Sequence, residues 1–337
     1  MLIEELTNLN GVSGDEGEVR AFIKEQITKY ADEVIVDTIG NLIALKKGDS
    51  SKKVMLAAHM DEVGFIVSGI NDKGFIEFRP VGGIDTRVII SKKVVIGKNK
   101  IKGVIGMKAI HLQKRSERDT VPEVKNIFID IGAKDKKMAE EKVSLGDYIA
   151  FDTQFEKLGE DSIKAKAIDD RAGCAVLIEL MKKPIKYDTY FCFTTQEEVG
   201  LRGARVAAHR IEPDIALVIE STTASDVFGQ EEHEYVTKMG EGAVVSFMDR
   251  TTIVDKDFRK WLYESAKAEG IKVQYKCAAT GGNDAGRIHM TAGGVKTASV
   301  SVPCRYLHSP CGIASMKDIE AVCELAGLFL DRIDEVI

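Results

Sequence analysis

Two adjacent glutamates, Glu197 and Glu198, follow the apolar run Tyr190–Phe193, which is typical of a buried strand. A charged pair at such a point is most often a solvated strand end. It can also perform hydrolysis, when one carboxylate binds a metal ion and the other transfers a proton. The two interpretations differ in what the rest of the chain must supply, because a metal site needs further ligands.

Further metal-ligating residue types stand at the ends of predicted strands or beside a helix. His59 and Asp61 follow the strand VMLAA, and Glu220 ends DIALVI. His308 follows TASVSVPCRYL, and Asp169 precedes a predicted helix, where an aspartate is also a favoured N-cap. Because ligands gather at the carboxyl ends of strands in an α/β sheet, the set is expected to converge. Imidazole and carboxylate side chains suit zinc, cobalt or manganese.

The elements that would position these residues form an interrupted α/β pattern. Residues 1–66 and 164–337 alternate helices with strands, which predicts a mostly parallel sheet with helices on both faces. Residues 67–163 contain short strands separated by turn residues, which predicts an inserted, small all-β, barrel-like domain. Near the N-terminus, Ser13 and Glu16 have the spacing of a capping box before a helix.

Composition excludes several classes of function. The 337 residues are 44% hydrophobic and 30% charged, with a net charge of −6 and scattered basic residues, so we expect no nucleic-acid partner. There is no signal-peptide pattern, and no apolar run reaches the roughly 18–20 residues that span a bilayer. The six cysteines are dispersed without a C-x-x-C pair, which favours a reduced, cytoplasmic chain. The remaining histidines are not expected in the site: His111, His209, His233 and His289.

Five segments give the sequence a family resemblance: AAHMDEVGF, AIDDRAG, TTQEEVGLRGA, TGGNDAGRIH and VPCRYLHSP, in this order. Together they resemble the dinuclear metallo-aminopeptidases that assemble as tetrahedral dodecamers. That family includes glutamyl, leucyl, lysyl and deblocking aminopeptidases, and some members carry an endoglucanase label. The resemblance covers essentially the whole chain, including the all-β insertion. It implies a zinc-peptidase-like fold, peptide substrates and a dodecamer whose internal active sites are reached through pores.

The resemblance also implies two divalent metal ions, zinc, cobalt or manganese, and assigns their ligands. His59 and Glu198 would bind one ion, and Glu220 and His308 the other. Asp169 would bridge both ions. The family often has aspartate where this chain has Glu220, which is one methylene longer but keeps the ligand type.

The same resemblance assigns the catalytic roles. Glu197 would be the general base that activates a water bound by both ions, and this water would attack the scissile carbonyl. Asp61 would hydrogen-bond the His59 imidazole and fix its tautomer. In related metallopeptidases the peptide bond after the bridging aspartate is cis, so we expect a cis bond between Asp169 and Asp170.

The residue removed from the peptide is the least determined feature. An acidic N-terminal side chain would need a cation in the substrate pocket, and Arg250, Arg287 and Arg305 lie near the site motifs. A glutamyl or aspartyl preference is therefore one expectation. Asn283 stands where the family commonly has threonine, which bears on specificity more than on chemistry.

Three other functions compete with an aminopeptidase. A glycosidase needs two carboxyl groups on opposite sides of the bond, about 5 to 9.5 Å apart, which adjacent glutamates do not readily provide. Its sugar-stacking surfaces would also be scarce, since Trp261 is the single tryptophan. A deacylase or carboxypeptidase would share the metals and differ in which end of the substrate is free. A non-catalytic binding role leaves the base and the ligands without a task.

Overall fold

The fold contains two separate β-structures. The computed structural model describes residues 1–279 and 281–336. Within these residues, one is an 11-stranded mixed sheet and the other is a closed six-stranded barrel. The strands are β1 Glu33–Val36, β2 Leu42–Lys46, β3 Ser50–His59, β4 Gly64–Ile70, β5 Ile76–Val81, β6 Lys93–Ile96, β7 Ile101–Met107, β8 Ile127–Asp130, β9 Tyr148–Phe151, β10 Glu156–Leu158, β11 Ser162–Ala165, β12 Tyr187–Thr194, β13 Ile215–Thr223, β14 Ala243–Val245, β15 Val273–Tyr275, β16 Lys296–Arg305 and β17 Gly312–Ser315.

Helices cover both faces of the large sheet and connect strands of the barrel. They are α1 Ile3–Asn8, α2 Gly17–Ile27, α3 Arg115–Arg118, α4 Lys136–Glu140, α5 Ile168–Met181, α6 Arg202–Ile211, α7 Lys256–Ala268, α8 Ala285–Ile288 and α9 Met316–Asp331. The short helices α3 and α4 are those that connect strands of the barrel. The core on one face joins α2, α5, α7 and α9 to the sheet, whereas α6 and α8 pack on the other face. The predicted architecture of a sheet between two helical layers is therefore confirmed.

The centre of the large sheet is parallel and its flanks are antiparallel. Strands β12, β3, β13 and β16 lie side by side in this order and run in one direction. Strands β12, β13 and β16 are almost entirely buried, as expected for parallel strands covered on both faces. In the parallel register Thr194 pairs with His59, and Glu220 pairs with Ser301. The carboxyl ends of the four strands therefore meet at one edge.

The barrel is inserted between β3 and β10, with strand order β4-β5-β8-β7-β6-β9. All its strand pairs are antiparallel, and its interior is a separate hydrophobic core. Phe65 packs edge-on against both Phe78 and Phe151 at the centre of this core, with centroid distances of 4.8 and 5.4 Å. The predicted small all-β insertion is thus a closed barrel.

One local prediction near the N-terminus is wrong. Helix α2 forms where the apolar periodicity predicts it, with Val19, Ile23 and Ile27 buried. The residue that precedes it is Glu16, however, and no side chain caps the helix. Ser13 and Glu16 instead direct their side chains to other partners, described below. No described helix is long and apolar enough to cross a membrane.

Candidate metal centre

Two histidines and three carboxylates meet at the edge where the parallel strands end. The His59 Nε2 atom lies 3.2 Å from Glu220 Oε1 and 3.3 Å from Asp169 Oδ1. On the other side, His308 Nε2 lies 3.2 Å from Glu198 Oε2 and 3.4 Å from Asp169 Oδ2. Asp169 thus presents one carboxylate oxygen to each imidazole. The structure brings together all five side chains that the sequence predicts as ligands.

The shortest contacts group these side chains differently from the predicted pairs. His59 lies next to Glu220 because β3 and β13 are adjacent parallel strands. Glu198 lies four residues beyond the end of β12, so the turn carries it to the side of His308. His59, Asp169 and Glu198 also offer ligand atoms within 4.8 Å of one another. The sequence instead predicts His59 with Glu198 and Glu220 with His308.

Burial sets the electrostatics of this cluster. Desolvation raises the pKa of both Glu198 and Glu220 to about 8. Burial acts on Asp169 in the same direction, but its close contacts with the imidazoles of His308 and His59 hold its pKa below the usual range. Burial lowers the pKa of His308, and the neighbouring carboxylates outweigh this and raise it to about 9. Within contact distance, the imidazoles of His59 and His308 are thus the groups that offset the charge of these carboxylates.

The donor atoms of the cluster fit divalent cations. Among the described residues, Asp169 Oδ1, Asp170 Oδ2 and Glu220 Oε2 are buried oxygens without a hydrogen-bond partner. Buried polar atoms are nearly always paired, so such oxygens indicate a missing partner. A cation beside each imidazole would satisfy them and remove the carboxylate repulsion. The mixture of imidazole nitrogen and carboxylate oxygen suits zinc, cobalt and manganese.

Asp61 contacts both the His59 ring and the turn that carries the glutamate pair. His59 Nδ1 lies 3.1 Å from the backbone carbonyl oxygen of Asp61 and 3.5 Å from its Oδ1. Because a carbonyl only accepts, Nδ1 carries the proton and leaves Nε2 directed at the cluster. The Asp61 carboxylate accepts the backbone N–H groups of Glu197 at 3.0 Å and Glu198 at 3.1 Å. Asp61 therefore contacts the His59 ring with its backbone carbonyl and its carboxylate, and the carboxylate also binds the turn.

The peptide bond between Asp169 and Asp170 is cis, as predicted. Both residues depart from helical backbone angles within α5, so the position of the Asp169 carboxylate is set by a local irregularity at the start of this helix.

A cavity of about 310 Å³ opens beside the cluster. Its lining includes Glu197, which is 9% exposed, together with Lys276, Asn283 and Leu307. Burial raises the pKa of Glu197 well above the ordinary range of a glutamate. Lys276 is half-buried, and burial lowers the pKa of its ammonium group. The general base predicted from the sequence therefore faces the cavity next to the ligands.

None of the three arginines expected in the substrate pocket lines this cavity among its described residues. Arg305 donates two hydrogen bonds to Asp226, at 2.9 and 2.6 Å. Arg287 lines a different groove, and Arg250 is exposed. Lys276 is the cation that sequence reasoning missed, because QYKCAA has no distinctive pattern. The available signal was its place in the sequence, shortly before the TGGNDAG motif.

A cluster of histidines and carboxylates at the carboxyl edge of the sheet is typical of metal-dependent hydrolases. The chain belongs to the M42 glutamyl aminopeptidase family, whose sequence model matches residues 40–325. It is therefore a hydrolase of the aminopeptidase class, and metal dependence is typical of its family. The family predicted from the five sequence segments is confirmed.

Relatives along the whole chain agree with this family. A protein of Acetivibrio thermocellus, named as a candidate aminopeptidase, is 43% identical over 96% of each chain. The lysyl aminopeptidase of Pyrococcus furiosus is 32% identical over 98% of this chain and 96% of its own. The glutamyl aminopeptidase of Lactococcus lactis is 32% identical over 94% of this chain and 91% of its own. Relatives at equal identity thus carry names with opposite charge preferences.

Solved structures share both the sheet and the barrel. The TET aminopeptidase of Thaumarchaeota archaeon SCGC AB-539-E09 has a TM-score of 0.95 at 37% identity and covers 98% of this chain and 95% of its own. The TET1 peptidase of Pyrococcus horikoshii, which can assemble into a tetrahedron or a large octahedral shell, has a TM-score of 0.86 at 32% identity, covering 97% and 98%. A Thermotoga maritima protein named endoglucanase has a TM-score of 0.84 at 36% identity, covering 100% and 98%.

Proposed function

We propose that this protein removes N-terminal residues from peptides with two divalent metal ions bound to each subunit. One ion would be held by His59, Glu220 and one oxygen of Asp169. The other would be held by His308, Glu198 and the second oxygen of Asp169. The observation that carries this proposal is the pair of contacts from the Asp169 carboxylate, one oxygen to each imidazole. Zinc, cobalt and manganese all suit these ligands.

Glu197 is proposed to move the proton. When bound, the ions would polarise the scissile carbonyl and lower the pKa of the attacking water toward about 7. A Glu197 carboxylate oxygen takes the proton from this water as the water oxygen bonds to the carbonyl carbon. The same oxygen then gives the proton to the leaving nitrogen as the C–N bond breaks. The position of Glu197 on the cavity wall, next to the ligand Glu198, supports this role.

The surrounding carboxylates would select a free N-terminus. A substrate α-ammonium group entering the cavity meets the acidic side chains of Glu197 and Glu220. An acylated terminus brings no compensating charge to this position, so it would bind poorly. This explains removal of terminal residues rather than cleavage within the peptide.

We further propose a preference for glutamyl or aspartyl residues. Lys276 lines the same cavity as Glu197 and would face the side chain of the terminal residue. A hydrogen bond to a charged group contributes about 1.5–3 kcal/mol, enough to favour an acidic side chain by roughly one to two orders of magnitude. The half-buried setting of the Lys276 ammonium supports this assignment, because a nearby charge is poorly screened there.

The domain division and assembly are also proposals. Residues 1–66 and 164–337 would form the catalytic domain, and residues 67–163 an inserted domain for assembly and access. A solved TET1 relative that is a dodecamer supports the same assembly here, in which enclosed sites would admit only peptides. A cytoplasmic location is supported by six free thiols, because cysteines remain reduced there.

A panel of chromogenic aminoacyl amides tests the function. The protein is stripped of metal, reloaded with zinc, cobalt or manganese, and assayed on acidic, basic and aliphatic amides with an N-acetylated version of each. We expect metal-dependent cleavage of the free amines only, fastest for the acidic residues. Release of acetate from the N-acetylated versions, without release of the chromogenic amine from any substrate, would indicate a deacylase. Release of reducing sugar from soluble cellulose, without amide cleavage, would indicate an endoglucanase.

A further inference from the structure

Two buried carboxylates outside the ligand set bind three consecutive backbone amides of the catalytic turn. Asp61 Oδ1 accepts the N–H of Glu197, and Asp61 Oδ2 accepts that of Glu198. Glu16 Oε1 accepts the N–H of Gln196 at 3.2 Å. Asp61 is fully buried, and Glu16 is 3% exposed. The backbone of residues 196–198 is therefore held from outside the strand.

Ser13 and Glu16 belong to one segment that packs against the strand end carrying His59. The Ser13 hydroxyl, 4% exposed, donates to Asp61 Oδ2 at 2.6 Å. The Ser13 N–H donates to the Glu62 carbonyl oxygen at 3.2 Å. Glu16 Oε1 also accepts the N–H of Gly14 at 2.7 Å, which fixes its carboxylate. Ser13 thus reaches the catalytic turn through the buried Asp61 carboxylate, and Glu16 binds the turn directly at the Gln196 N–H.

The turn needs these partners because it lies beyond the sheet. Strand β12 ends at Thr194, so the following amides have no neighbouring strand to bond with. Gln196 adopts a left-handed conformation with φ of 54°, which is unfavourable for a residue with a side chain. Asn41 holds the base of the turn, where its Oδ1 accepts the Thr195 N–H at 3.0 Å and its Nδ2 donates to the Gly203 carbonyl at 2.9 Å. At the tip of the turn, the N–H groups of residues 196–198 are bound by Asp61 and Glu16.

We propose that Ser13 and Glu16 are positioning residues for the general base and the ligand next to it. Ser13 orients the Asp61 carboxylate, which then holds the amides of Glu197 and Glu198. Glu16 holds the preceding amide and stabilises the left-handed conformation of Gln196. The S-x-x-E pattern that predicts a helix cap serves the active site instead. This inference rests on the proposed roles of Glu197 and Glu198.

The test compares Ser13→Ala, Glu16→Ala and Glu16→Gln with a control, Glu18→Ala. Glu18 lies on the same segment but is exposed and pairs with Lys100. Glutamine is the conservative replacement, because Glu16 uses a single oxygen, Oε1, for both amides. The readouts are kcat and KM on the best aminoacyl amide, Mn²⁺ affinity of metal-free protein by titration calorimetry, and Tm.

We expect Ser13→Ala and Glu16→Ala to lower kcat by about 10- to 100-fold and to weaken Mn²⁺ affinity by about tenfold, with KM changed less than about twofold. Glu16→Gln should recover most of both losses, and Glu18→Ala should behave as the original protein. Original kcat and Mn²⁺ affinity in Glu16→Ala would overturn the inference. So would losses that follow a fall in Tm and are not recovered by Glu16→Gln.

The experiment separates this inference from the proposed function. If the unaltered protein cleaves no free-amine substrate, the proposed function fails. The Mn²⁺ affinities of the same variants still decide whether Ser13 and Glu16 position the ligand. If the unaltered protein is active and the variants match it, only the positioning inference fails.

Discussion

Two clusters of buried charge adjoin the end of β3, and they differ in whether the protein itself satisfies them. In the first cluster, Lys166 Nζ donates to both Glu62 oxygens, at 2.6 and 2.8 Å, and to the Leu9 carbonyl at 2.6 Å. Glu62 also accepts the Gly11 N–H at 2.9 Å. Arg171 donates to three carbonyl oxygens and lies 3.4 Å from Glu62. This cluster ties the N-terminal segment to the sheet.

The second cluster begins only three residues earlier, at His59, and is not satisfied in this way. Asp169 and Glu220 each keep a buried oxygen without a hydrogen-bond partner in the described part of the chain. The carboxylates of this cluster contact the imidazoles of His59 and His308, and Asp169 contacts both. Buried charges that satisfy one another indicate a structural role, whereas buried charges left over indicate a ligand. The two clusters should therefore respond to mutation in opposite ways.

The largest expected effect is on catalysis at the second cluster. Glu197→Gln keeps the shape of the side chain and removes the proton acceptor, so kcat should fall by about 10²- to 10⁴-fold. Stability should not fall, because a buried charge is removed. Steady-state kinetics and urea unfolding measure both quantities, with Glu324→Gln on the exposed face of α9 as the control. Activity near that of the original protein would refute the assignment of Glu197 as the base.

The first cluster should show the reverse pattern. Glu62→Gln leaves Lys166 and Arg171 without their anion, and breaking a buried pair costs about 3–5 kcal/mol in the free energy of unfolding. The control is Lys164→Met, which removes a partly exposed ion pair with Glu156, 2.7 Å long. Its loss should lower the free energy of unfolding by at most about 1 kcal/mol. Urea unfolding measures both. Equal losses in the two variants would show that the Glu62 cluster is not structural.

Metal should stabilise the second cluster. Loading the metal-free protein with Mn²⁺ at about 1,000 times its dissociation constant should raise the free energy of unfolding by about 4 kcal/mol. His308→Ala should lose much of this gain, since it removes a ligand, whereas Lys164→Met should keep it. Thermal or urea unfolding with and without chelator measures the difference. An unfolding curve that does not change with Mn²⁺ would remove the distinction between the clusters.

The smallest effect concerns specificity. Lys276→Met should lower kcat/KM for glutamyl amides by about 10- to 100-fold, because a charge-assisted contact of about 1.5–3 kcal/mol is lost. Leucyl amides should be cleaved as before, and Lys260→Met on α7 serves as the exposed control. An equal loss on both substrates would show that Lys276 supports the site generally and does not select acidic residues.

The sequence predicts which residues reach the site better than how they meet there. His59, Glu220 and His308 lie on or just after strands with clear apolar patterns, so the shared edge follows from topology. The grouping of Glu198 with His308 depends on the path of the turn after Thr194, which no periodicity encodes. Likewise, the spacing of Ser13 and Glu16 fits a helix cap equally well, and only the tertiary contacts with Asp61 and Gln196 decide between the two uses.

The charged residues around the cavity are the least predictable part for a related reason. Proximity in sequence suggests Arg305 as the cation of the substrate pocket. Its guanidinium group instead donates hydrogen bonds to Asp226, 79 residues earlier in the chain. Lys276 reaches the cavity from β15 and the segment after it, which has no recognisable motif. Long-range pairing of charges is a property of the folded chain, so local patterns do not reveal it.

The most direct test of the central claim is an anomalous difference map from crystals of the protein loaded with zinc. We expect two peaks in each subunit, both adjoining Asp169. One should lie between His59 and Glu220, and the other between His308 and Glu198. A single peak, or two peaks that leave Asp169 without a metal contact, would contradict the dimetal centre.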